Sequence, residues 1–97
     1  MGESLLSNKS IKAVAGLLRS FVREGNFSYV DKIKVAKDPS QFSEILFSAL
    51  REARENPKAF IPNEIQLEET LNLAKDSLEE VKRTVAIYAL SFPSKEG

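Results

Sequence analysis

The chain contains no cysteine and no histidine. The first absence excludes a disulfide framework, a thiolate zinc site and a cysteine nucleophile. The second removes the commonest general base and metal ligand. Glycine is scarce and scattered, at positions 2, 16, 25 and 97, so no phosphate-cradling glycine motif is present. No stretch approaches the roughly 20 apolar residues that a membrane span needs, and no membrane partner is expected. The opening "MGESLLSNKS" lacks a basic region followed by an apolar run. It does not read as a secretory signal, and the expected location is cytoplasmic. Glu68-Glu69 and Glu79-Glu80 are the only paired acids that suggest a divalent ion, but adjacent positions on a helix point about 100° apart. No metal or other cofactor is expected. A serine or lysine nucleophile would need a positioned base, which no pattern supplies, so the chain does not read as an enzyme.

What is present fits one small domain. The 97 residues are 42% hydrophobic and 29% charged, ordinary values for a globular protein. A domain of this size buries only roughly 60–65% of its unfolded surface, so a partner can supply part of its core. Net charge is zero but uneven. Residues 1–37 carry seven basic and three acidic side chains; residues 38–97 carry seven basic and eleven acidic. The first 37 residues thus carry +4 and the remaining 60 carry −4. Either the division is incidental, or a basic end meets phosphate or the acidic end of another copy.

Helical periodicity dominates the pattern. Ile11, Val14, Ala15, Leu18, Phe21 and Val22 predict a helix from Lys9 to Glu24, stopped by Gly25. On its opposite side Lys9, Lys12, Arg19 and Arg23 fall within about 80°, with Gly16 among them and no acid interrupting. An ordinary solvated face explains that stripe; so does a phosphate-binding surface, with Lys32 and Lys34 as further contributors. "NFSYVDKIKVAK" fits a helix, with Tyr29, Ile33 and Ala36 on one face, or a strand. Ser28 followed by Asp31 favours a short helix. On either reading Tyr29 joins the core, with its hydroxyl at the edge.

Asp38 caps the next helix and Pro39 suits its first position. Phe42, Ile45, Leu46, Ala49 and Ala53 form its buried face, and Asn56-Pro57 ends it. Phe47 falls on the polar side and is a candidate partner contact. In "NPKAFIPNEIQ", Ala59, Phe60 and Ile61 are expected to pack down on the core, and Asn63 to cap a helix with Leu67, Leu71, Ala74 and Ile65 inward. Asp76 and Ser77 offer a new cap for a last helix ending near Leu90. Its second half is apolar nearly all round, and Ile87 and Leu90 point away from the inner face, which suits a central helix or a partner interface. Phe92 and Pro93 should close it. The expectation is an all-α bundle of four to five short helices over residues 1–97, with 1–7 and 94–97 frayed.

The words "LLRSFVREGNFSYVDKIKVAKDP" and "ILFSALREAR" resemble the small subunit of the archaeal type I-A CRISPR surveillance complex, a Cascade-like effector of antiviral defence. The resemblance covers roughly residues 13–55. It implies a non-catalytic, mainly helical subunit that assembles beside the crRNA-bearing backbone and helps hold target DNA, including the displaced single strand. Expected partners are then other subunits of the effector complex, copies of itself, and single-stranded DNA or the crRNA–target duplex. The same features suit a helical protein–protein adaptor, or a small regulatory or viral factor, with no nucleic-acid role.

Overall fold

The computed structural model describes residues 5–91. The expected closure at Phe92-Pro93 lies outside the described residues; of the fraying expected at 1–7 and 94–97, residues 1–4 and 94–97 also lie outside them, while Leu5–Ser7 form a 3-10 turn. A 3-10 turn at Leu5–Ser7 leads into α1 (Lys9–Arg23), α2 (Ser28–Val35), α3 (Pro39–Ala53) and α4 (Glu64–Leu90). Among the described residues there is no strand, and the chain is the all-α bundle its periodicity predicts. Residues 28–35 are helical, so the strand reading of that segment falls.

Local chemistry explains the boundaries. Asn8 Oδ1 accepts from the Ile11 amide and opens α1. Gly25, at φ +86°, closes it. The Gly25 amide donates to the Val22 carbonyl and the Asn26 amide to the Phe21 carbonyl, the paired bonds of a left-handed C-terminal cap. The start of α2 differs from expectation. Ser28 does not cap it; Phe27 stands at the cap position without a side-chain bond. Asn26 Oδ1 instead takes both the amide and the hydroxyl of Ser28. Asp38 and Asn63 cap α3 and α4 as the sequence predicts, Asn63 through a reciprocal pair of bonds with Gln66.

The expected junction near Asp76-Ser77 is a break inside α4. Ser77 lies at φ −141°, ψ 52° and divides the helix into two arms. α1 packs against both. Ser10 donates its hydroxyl to Glu69 on the first arm, while Arg19 and Lys12 reach Tyr88 on the second. Positions 10 and 12 of a helix point about 200° apart, so the arms hold opposite sides of α1. This explains why α1 also buries Ala13 and Leu17, outside its predicted apolar face. α1 and α4 form the main packing pair, and α4 also packs against α2 and α3. The second arm buries Val81, Val85 and Ala89 but leaves Ile87 46% exposed. Ile65, expected inward, is 67% exposed, and Thr70 takes its place in the core.

One buried charge ties α2 to α4. Lys82 is only 7% exposed. Its Nζ donates to the Ala36 carbonyl at 2.6 Å and to Glu79 Oε2 at 3.0 Å. Ala36 is the C-cap of α2, so the ammonium satisfies a helix-terminal carbonyl and complements the negative end of the helix dipole.

Candidate nucleic-acid interface

The polar face of α1 becomes one wall of a groove of about 440 Å³. Lys9, Lys12, Arg19 and Arg23 line it, in the arrangement the helical spacing implies. The segment between α3 and α4 forms the other wall and adds Lys58 and Phe60. No acidic side chain lines the groove. Five cations therefore surround one depression, and the side chains of Lys9, Arg23 and Lys58 make no hydrogen bond or ion pair with another described residue.

The second wall is held by a short relay. The Phe60 amide donates to Ser20 Oγ at 2.9 Å, and Ser20 Oγ donates to the Gly16 carbonyl at 3.1 Å. The Phe60 ring lies against Gly16; a Cβ there would stand 3.1 Å from Phe60 Cδ2. Gly16 thus admits the ring by lacking a side chain. The sequence reading packs Phe60 down on the core as a satellite, yet it is 48% exposed. Ala59 alone of that trio packs against the core.

Two of the α1 cations have structural partners as well. Arg19 donates through Nε at 3.3 Å and Nη2 at 3.0 Å to the Tyr88 carbonyl in the last turn of α4. Lys12 Nζ stands 5.5 Å from the centre of the Tyr88 ring. Arg19 therefore positions its guanidinium at the groove while holding a helix end, and three of its five donors remain for an anion.

Lys32 and Lys34 do not line this groove. Lys32 lies over the Tyr29 ring at 5.6 Å and borders a shallow hollow shared with Glu44, whose carboxylate opposes an incoming phosphate. Lys34 lines a second groove, of about 380 Å³, with Arg83, Ile87 and Leu90. The structure thus brings together two expected partner contacts, Ile87 and Leu90, at one place. Phe47, the third, is 44% exposed on α3 and lines neither groove.

Tyr29 belongs to the fold. Its ring meets Phe21 at 4.8 Å between centroids, and its hydroxyl donates to Glu52 Oε1 at 2.6 Å. That bond, aided by desolvation and the carboxylate's charge, pushes the phenol up to about 12.

The sequence pattern does not reveal Lys58 and Phe60 as groove residues, because "NPKAFIP" has no periodicity that assigns a side chain to a face. Gly16, isolated within a helical cationic stripe, is the one signal of a close approach. Among the described residues no three acidic side chains gather into a metal-binding group, and no helix is long and apolar enough to cross a membrane. Comparison with known proteins gives no match to a protein family, a curated sequence or a solved structure.

Proposed function

We propose that this chain is a non-catalytic helical subunit that holds a nucleic-acid backbone within a larger assembly. The observation that carries this reading is the acid-free groove of Lys9, Lys12, Arg19, Arg23 and Lys58. Clustered cations neutralise phosphates and release counterions, which gives affinity without sequence specificity. The lack of histidine and cysteine favours a binding role over a catalytic one. The resemblance of residues 13–55 to the type I-A CRISPR small subunit supplies the specific form of the proposal: a component of an archaeal interference complex, in the cytoplasm, in contact with target or displaced DNA.

The test is a fluorescence-anisotropy titration of single-stranded DNA at two salt concentrations. About four phosphate contacts give a log–log salt slope of roughly −3 on a single strand. Binding by the isolated chain is weak and rises when several copies act on one strand. Lys9→Glu with Arg23→Glu should abolish it with helicity unchanged. Equal binding by that double variant would reduce the groove to a solvated face.

A second reading, a protein–protein adaptor, rests on the other groove. Ile87 and Leu90 expose apolar surface among Lys34, Arg83 and Glu79, a combination suited to an apolar contact with a charged rim. The two roles are compatible in an assembly subunit, and they separate by mutation because no residue lines both grooves.

A further inference from the structure

We infer that Phe60 is a stacking platform for one unpaired base, so that the basic groove selects single-stranded over duplex nucleic acid. This rests on the phosphate-binding reading of the same groove and specifies its ligand. Three features of the site point to it.

The first is placement. Phe60 is a half-exposed aromatic ring that lines the same groove as the five cations. The second is rigidity. Its amide is tied to Ser20 and its ring is seated on Gly16, so stacking would cost little conformational entropy. The third is contrast. Phe27 is as exposed, at 45%, but lines no basic groove. Exposure alone is ordinary for an apolar residue. An aromatic surface among cations offers two complementary contacts to one polymer, phosphate to cation and base to ring.

Duplex cannot use both contacts. Its bases are stacked on each other, and a ring in the wall of the groove meets only its sugar–phosphate exterior. A single strand can turn a base onto the ring while its flanking phosphates meet Arg23 and Lys58 on one side and Lys9 and Lys12 on the other. From Lys9 to Arg23 the helix runs about 21 Å.

The experiment uses the full chain and three probes: oligothymidylate of about 12 nucleotides, a blunt duplex of equal length, and inorganic polyphosphate. Phe60→Leu keeps apolar volume over Gly16 but removes the π face. It should bind oligothymidylate about tenfold more weakly than the wild type, with duplex and polyphosphate affinity unchanged. Phe27→Leu should change none of the three. The chain has no tryptophan, so Phe60→Trp introduces a single indole reporter. Its emission should be quenched by oligothymidylate and not by polyphosphate, with affinity at or above that of the wild type. Wild-type affinity of Phe60→Leu for the single strand, or an indole unaffected by it, overturns the platform while leaving phosphate binding intact. A wild type that binds none of the three probes overturns the underlying reading as well.

Discussion

Gly16 and Gly25 respond in opposite directions to the same substitution. A Cβ at Gly25 would meet nothing within 4 Å, yet the φ of +86° is one that L-residues avoid. Gly25→Ala should therefore destabilise the fold by about 1 kcal/mol despite the free space. Gly16 sits in the helix interior, where alanine is favoured by up to about 1 kcal/mol. Its obstacle is the half-exposed Phe60 ring, which can move outward. Gly16→Ala should raise the urea midpoint slightly while weakening single-strand binding, a split between stability and function at one atom. Tyr29 gives a pH dependence at this scale. Its folded pKa of about 12 exceeds the ordinary value of 10.0, so the folded state holds the proton more tightly. That contribution is fully present below pH 10, and stability falls as pH rises from 10.0 toward 12. Replacing Glu52 with Gln removes the charge that favours the neutral phenol. In a spectrophotometric titration the Tyr29 midpoint should then move down toward its ordinary value.

At the scale of elements, two basic side chains donate to carbonyls at helix C-termini. Arg19 takes the Tyr88 carbonyl of α4, and Lys82 takes the Ala36 carbonyl at the end of α2. Lys82→Met keeps the apolar stem but strands a buried carbonyl, which should cost about 1–3 kcal/mol in chemical denaturation. Arg19→Ala should lower the melting temperature, through loss of about 1.5 kcal/mol of charge-assisted hydrogen bonding, and weaken nucleic-acid binding too. Arg23→Ala should weaken binding alone, since the Arg23 side chain is exposed and makes no hydrogen bond or ion pair with another described residue. Comparing the two variants separates the structural share of the stripe from its binding share.

For the whole molecule, charge is arranged outward. Among the described residues a single salt bridge, Lys82 to Glu79, joins opposite charges directly. Most charged side chains are thus available to other molecules. Contact between copies or with a larger subunit should weaken as salt rises. Ile87→Asp, at an exposed position of the second groove, should reduce such association in sedimentation velocity without loss of helicity. A strict monomer, with no co-purifying partner and no response to that variant, would remove the partner role of this face.

The sequence by itself determined the helices and the cationic stripe, because both are periodic and local. Capping side chains act within one turn, and residues three or four apart share a face whatever the fold. Asp38, Asn63 and Gly25 mark their boundaries, and Lys9, Lys12, Arg19 and Arg23 align before any tertiary contact forms. Only the tertiary structure decided what the stripe faces. Phe60 lies 40 positions from Ser20, and that hydrogen bond, not any local preference, places the ring over Gly16 and Lys58 beside the cations. Long-range contacts likewise put α1 between the arms of α4, turned Ile65 outward, and sent Lys82 into the interior, where a carbonyl from another helix offsets the cost of burying a charge. Periodicity reports which face is apolar; which neighbour covers it depends on how all the helices pack at once.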